Sequence, residues 1–435
     1  MISIVLISLF VILIISIYKF GSNPTRPSVL FTSGMFVMTL IAFMLRKEWK
    51  LDVMQSDTVV LLVGGSIIAF ITDYIVSKKN ALSITKNPIY RKMSAPRLMI
   101  LLIIQFIVVV LYFREYVKNA GLFAMLQSFG EINESIKNDD DISIFIPWYI
   151  NFPFHIFQGM GYIWAIMVPL NYLVIKPQTE IKLLVLLNYI LAIIGSLSSG
   201  GRMPILNYIT PLMFFYLLLN QPKSSKLQIK KYFRVGLIAF LFLYFFSELG
   251  TFMGRTERTE STFEIVAEYC GAEIKNLDDF VKHTPKLKTN HIADHTLHSF
   301  YDLLNSRFGT QPSAHDHKSM YPFNSINGYH LGNVYTCYSN YYADFGLFGL
   351  IFVVVSIGIS CFFYNKMCKS DFLSTGIPNV WCFLFATCMA RLFTCFFHEQ
   401  FYAFNLENWI RNMIVIYFLL AFIYKSWNLN YFKKY

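Results

Sequence analysis

The sequence predicts an all-α polytopic membrane protein with about eleven transmembrane helices, a count that ambiguous segments leave between ten and thirteen, and one large loop of short helices on the outer side. Three observations carry that prediction. Of the 435 residues, 55% are hydrophobic and only 14% charged, whereas a soluble domain carries roughly 25% charged residues. Apolar runs of the roughly 17 to 25 residues that a helix needs to cross a bilayer recur along the whole chain. The basic residues behind the formal net charge of +11 fall mostly in short connections between those runs. There they carry topology information and make no nucleic-acid surface.

In order, the apolar runs near residues 2–18, 29–45, 58–76, 98–113, 145–174, 183–198, 203–220, 235–250, 343–364, 379–398 and 409–424 are read as the spans. The first, ISIVLISLFVILIISIY, has no basic n-region and no small-residue cleavage site, so it reads as a retained helix and not a signal peptide. The fifth is too long for one straight crossing, and Pro147 and Pro153 near its start predict a first part that lies at the interface or re-enters. The eighth leads into a long loop, Thr251 to Tyr342, whose stretches FEIVAEYC, NLDDFVKH and HTLHSFYDLL predict short surface helices without an independent core. Along the sequence the chain thus divides into helices one to eight over 1–250, the large loop over 251–342, and helices nine to eleven with a tail over 343–435.

Loop charge orients the spans. Lys78, Lys79, Lys86, Arg91, Lys92 and Arg97 follow the third, and Lys223, Lys226, Lys230, Lys231 and Arg234 follow the seventh, so both connections belong on the cytoplasmic side. The same parity places Lys19, Arg26 and the C-terminal tail there and the N-terminus outside. The long loop and all nine histidines then lie on the outer half.

Cys361, Cys368, Cys382, Cys388 and Cys395 fall in or beside predicted helices without a C-x-x-C pair and read as inert core residues. Cys270 and Cys337 share the long loop and are the pair that could bridge. His291, Asp294, His295 and His298 stand at helical spacing, with His315, Asp316 and His317 downstream, but they match no standard zinc motif. No metal and no other cofactor is expected. The chain has no P-loop, no G-x-G-x-x-G opening a helix, no G-x-S-x-G and no internal repeat of the kind many transporters carry.

Chemistry is expected where permanent cations meet apolar helices. The corner Ser198-Ser199-Gly200-Gly201-Arg202 holds one arginine between two spans, and a guanidinium fork suits phosphate oxygens. Arg255 and Arg258, three residues apart at the start of the long loop, could share a diphosphate, although Glu257 and Glu260 could equally neutralise them. Arg391 sits inside VWCFLFATCMARLFTCFFH, where burial is expensive, so it should face a polar cavity or a carboxylate. His398 and Glu399 make the end of that helix polar. The stretch from Tyr329 to Gly346 mixes aromatic rings with Asn333, Thr336 and Asp344, a surface suited to sugars: rings such as Tyr335 and Tyr341 cover pyranose faces while amides and hydroxyls bond the hydroxyl groups. A membrane aromatic belt accounts for Tyr341 and Tyr342 but not for Asn333, Thr336 or Asp344. Asp344 or a nearby histidine is the candidate general base.

At GNVYTCYSNYYADFGLFG, preceded by SSGGRMPIL, the sequence resembles the O-antigen polymerase family, the oligosaccharide repeat unit polymerases. The order of parts agrees over most of the chain: many helices, a glycine-arginine turn, arginines opening a large loop, an N-V-Y-T element and Y-x-D-F-G leading into a helix. The first 100 residues contribute only hydrophobicity. The resemblance implies a membrane-embedded glycosyltransferase of the GT-C type in lipopolysaccharide biosynthesis, located in the bacterial inner membrane with its large loop in the periplasm. It would move a growing glycan from undecaprenyl diphosphate onto a new lipid-linked repeat unit. Arg202 and Arg255, with Arg258 and Arg391 behind them, would hold the diphosphate. Asn333, Tyr335, Thr336 and Tyr341 would bind glycan, and Asp344, then His330 or His398, would act as base. The implied partners are the lipid-linked oligosaccharide, the bilayer and a chain-length regulator. Two alternatives share part of this pattern: an O-antigen ligase, which delivers glycan to lipid A core, and a lipid-linked oligosaccharide flippase, for which repeat symmetry would be expected.

Overall fold

A computed structural model describes residues 1–20, 23–76, 90, 92–119, 146–197, 203–220, 262–283, 287–316, 321–370, 372–403 and 406–424. In chain order the elements are α1 (Ile2–Lys19), α2 (Pro27–Met44), α3 (Ser56–Val76), α4 (Ala95–Asn119), α5 (Trp148–Ile175), α6 (Thr179–Leu197) and α7 (Met203–Leu219). They continue with α8 (Thr262–Cys270), α9 (Ala272–His283), α10 (His298–Phe308), the strands β1 (Asn324–Ile326) and β2 (Tyr329–Gly332), then α11 (Tyr338–Phe345), α12 (Ile351–Lys369), α13 (Val380–Thr394) and α14 (Leu406–Tyr424). Among the described residues, seven helical runs are long and apolar enough to cross a membrane: α1 to α6 and the run Tyr338–Lys369; shorter apolar helices occupy the positions of α7, α13 and α14. This is the fold of a helical membrane protein. The span expected at 235–250 lies outside the described residues.

Lipid explains faces that water would reject. α1 exposes Ile4, Ile7, Val11, Ile14 and Ile15 while burying Ile2, Val5 and Leu9. The fifth span is not broken at its prolines: α5 is one 28-residue helix that runs through Pro153. Pro147 is its N-cap, and near a helix start the missing proline N–H matters least. Pro169 cannot donate to the previous turn, and beyond it the chain relaxes into a π turn, Leu170–Ile175.

The chain packs as two compact units, each discontinuous in sequence: residues 1–80, 260–365 and 388–407 form one, and 81–259, 366–387 and 408–435 the other. In the first, α8 and α9 pack on α2, α9 also touches α3 and α11, and both support β2. Where described, the 251–342 segment belongs to the unit that also holds the first three helices. Gly34 lets α2 approach the chain at Phe393 so closely that a Cβ would collide with the Phe393 carbonyl oxygen. At one end of the unit the Arg26 guanidinium pairs with Asp73 at 3.0 Å, both side chains buried. Asp73 also accepts the Ser28 N–H (3.0 Å) and hydroxyl (2.7 Å), and Arg26 lies over the rings of Phe20 and Tyr364. Arg26, read as a loop charge, is thus part of a buried network. In the second unit α5 packs on α4, α6 and α7, with Tyr112 stacked on Phe154 and the Tyr208 hydroxyl donating to the Gln158 carbonyl at 2.9 Å.

Candidate functional site

The expected sugar-binding stretch begins in a hairpin. In Ser325-Ile326-Asn327-Gly328-Tyr329-His330, Asn327 and Gly328 both take positive φ, 50° and 85°, the geometry of the two-residue turn that matches strand twist. β1 and β2 pair antiparallel, with Ser325 opposite His330 and Ile326 opposite Tyr329. The large loop is therefore not built of short helices alone. His330 stands exposed on this hairpin.

Beyond Gly332 the chain turns inward. Asn276 of α9 donates to the carbonyls of Leu331 (3.1 Å) and Val334 (2.7 Å), which brings Tyr335 and Thr336 into the interior. The Tyr335 hydroxyl receives the Asn324 amide at 2.9 Å and donates to the Pro322 carbonyl at 3.2 Å. Its ring lies 5.0 Å from that of Tyr321. The Tyr321 hydroxyl donates to Asn340, whose own amide donates to the His295 carbonyl at 2.8 Å. Four residues on, the same face of α11 presents Asp344. Its carboxylate accepts the N–H groups of His295 (3.0 Å) and Thr296 (2.8 Å), one on each oxygen. Asn340 and Asp344 together seat the 294–298 segment on α11.

Around Tyr321 the imidazoles gather. His398 meets the Tyr321 ring edge-on at 5.2 Å, and His315 lies 6.1 Å away on another side. His315 stacks on His298 at 4.3 Å and lies 5.8 Å from His295. His295 is buried, and neither of its ring nitrogens has a hydrogen-bond partner. Burial holds its imidazole below the ordinary value, against the upward pull of Asp344 and Asp294. Imidazoles are the side chains best suited to move protons near neutral pH.

The turn after α13 closes the layer. The Cys337 N–H donates to the Cys395 carbonyl at 2.9 Å. Glu399 is buried and accepts the N–H groups of Phe401 (2.9 Å), Tyr402 (3.0 Å) and Ala403 (2.9 Å) together with the Tyr341 hydroxyl (3.3 Å). Burial pushes the Glu399 carboxyl up to about 7, while those N–H groups and Arg391 pull it down. Arg391 donates to the Gln400 carbonyl at 3.1 Å. The arginine expected to face a cavity or a carboxylate thus braces this turn beside Glu399.

Of the expected site residues, Tyr335, Thr336, Tyr341, Asp344, Arg391 and His398 belong to this one layer. His330 stands apart on the hairpin, and Asn333 is half-buried on the approach to the layer. Arg202, Arg255 and Arg258 lie outside the described residues. Asp344, expected as a base, has both oxygens engaged by backbone N–H groups and anchors the fold. Cys270 and Cys337 are free, buried thiols and do not bridge. Among the described residues no group of three or more His, Cys, Asp or Glu side chains is placed to hold a metal ion. His295, His298 and His315, which the sequence presented only as weak metal ligands, belong to the layer instead. Tyr321 carried no sequence signal; Asn340 did, standing one helical turn before Asp344.

Compared with known protein-family models, curated proteins and solved structures, the chain has no match to any of the three.

Proposed function

We propose that this protein is a polymerase of lipid-linked oligosaccharide repeat units, of the O-antigen polymerase kind, in the bacterial inner membrane. Its N-terminus would be periplasmic, its C-terminus cytoplasmic, and its scaffold a GT-C-like bundle of about eleven helices. The observation that supports this reading is the place of GNVYTCYSNYYADFGLFG, where the resemblance is strongest: it lies in one layer with His295, His298, His315 and His398. Aromatic faces, amides and proton acceptors stand together there, as glycan transfer requires.

In the proposed reaction the acceptor hydroxyl oxygen attacks the anomeric carbon of the growing glycan. The bond from that carbon to the undecaprenyl diphosphate oxygen breaks, and the acceptor proton passes to a base. Arg202 and Arg255, with Arg258 and Arg391 behind them, would stabilise the departing diphosphate. Among the expected bases His398 is favoured: it is half-buried against Tyr321, whereas Asp344 is held by two N–H donors and His330 stands on the hairpin. Of the residues expected to bind glycan, Asn333 is half-buried and would meet it, whereas Tyr335, Thr336 and Tyr341 are buried and would shape the site from behind.

Deleting the gene should leave surface glycan at one repeat unit per lipid A core, and Arg202→Ala should reproduce the deletion while the protein still reaches the membrane. Gel ladders of the extracted lipopolysaccharide check this. An unchanged long-chain ladder contradicts the proposal, and loss of every repeat unit from the core points to the ligase or the flippase.

A further inference from the structure

Cys337 shares the long segment with Cys270, but the fold seats it against a different cysteine. Its N–H donates to the Cys395 carbonyl at 2.9 Å, so the N-cap of α11 meets the chain just past the end of α13. The two thiols are in hydrogen-bond contact with each other. Both residues are buried, and Tyr338, Tyr341 and Tyr402 lie near both sulfurs. The other cysteines of this unit are placed elsewhere: Cys270 lies beside Glu273, the Cys361 thiol donates to Asp73 at 3.4 Å, and Cys388 stands about two helical turns before Cys395.

We propose that Cys337 and Cys395 form a disulfide bond that ties the start of α11 to the turn that holds Glu399. A disulfide requires neighbouring backbones and sulfurs that can touch, and this pair meets both conditions. The inference rests on the proposed topology, in which α13 runs outward and its last residues lie at the periplasmic end, in a compartment where disulfides persist. The bond forms by thiol–disulfide exchange before α11 and α13 close over the pair. One cysteine thiolate attacks the disulfide of an oxidant, a protein or small molecule of the dithiol–disulfide class, and expels one of its thiolates. The second cysteine thiolate attacks the mixed disulfide and expels the other. The two cysteine protons end on the two oxidant thiols, and the two electrons lost by Cys337 and Cys395 reduce the oxidant disulfide. Once packed, the bridge is shielded from reductants by the burial that covers the two sulfurs. It holds Tyr341 against the same turn, where the tyrosine hydroxyl donates to Glu399 at 3.3 Å.

The test counts thiols in the full chain taken from the membranes of the bacterium that makes it. Free thiols are blocked with N-ethylmaleimide in denaturant, the chain is then reduced, and a polyethylene-glycol maleimide marks each newly exposed thiol as a gel shift. Two additions are expected in the unsubstituted chain and in Cys270→Ser, and none in Cys337→Ser or Cys395→Ser. Reductant should also lower the thermal unfolding midpoint of the unsubstituted chain in detergent and leave that of Cys337→Ser in place. No addition in the unsubstituted chain overturns the inference, and so do two additions that survive Cys395→Ser. Ser325→Cys, on the exposed hairpin of the same segment, separates the two ways to fail. If a membrane-impermeant maleimide labels it in spheroplasts while no bridge is found, the pairing itself is wrong; if it is labelled only after lysis, the proposed topology is wrong.

Discussion

Asp344 accepts the N–H groups of His295 and Thr296 on its two oxygens. An asparagine offers one carbonyl oxygen and turns its amide donors on the other N–H. Asp344→Asn is therefore expected to destabilise the seat of residues 294–298 by about 1–3 kcal/mol. Limited proteolysis should then cut within 287–316 faster than in the unsubstituted chain, and an unchanged rate would show that the carboxylate is not an anchor. His295 sets a pH dependence at the same place. Its imidazole, facing Asp344, Asp294, His298 and His315, is held below its ordinary value of 6.5, chiefly by burial. The folded state thus binds this proton less readily than the unfolded chain does. The contribution of His295 to stability is complete above pH 6.5 and lost as the pH falls below it. Hydrogen exchange across 294–298, corrected for its intrinsic pH dependence, should rise on acidification, and His295→Gln should flatten that response.

At the scale of elements, the apolar runs were legible because a bilayer-spanning helix needs length and hydrophobicity and little else. The described long helices coincide with those runs. Two elements were harder. The proline pair suggested a broken fifth span, yet Pro147 is the N-cap of α5 and the helix continues through Pro153, its sixth residue. The hairpin has a local signal, Asn327-Gly328 between short β-compatible stretches, which the helical reading of the long loop does not use. What no periodicity reveals is which helices touch. Gly34 is one such contact, with α2 lying against the carbonyl of Phe393. Gly34→Ala is expected to force the two apart and to lower the thermal unfolding midpoint in detergent, whereas the same change at Gly358, whose Cβ would meet nothing, should leave it in place.

For the whole molecule, composition settles the membrane class, but dividing the chain along its length does not. Protein-facing and lipid-facing helix surfaces are both apolar, so hydropathy counts spans without pairing them. The unit that joins 1–80 with 260–365 and 388–407 could not be read from the sequence for that reason. The histidine layer was hidden likewise, since His298, His315, Tyr321 and His398 meet only after the long segment folds back on α11. Tyr335, Thr336 and Tyr341 meet there because they sit on one short stretch of the chain. Repeat-unit polymerisation can be measured with the purified full-length protein in vesicles, with lipid-linked repeat units as the sole substrate. The products are resolved by length. A polymerase gives a ladder of lipid-linked glycans together with released undecaprenyl diphosphate; repeat units that stay single, or that transfer only once lipid A core is supplied, would contradict the proposed function.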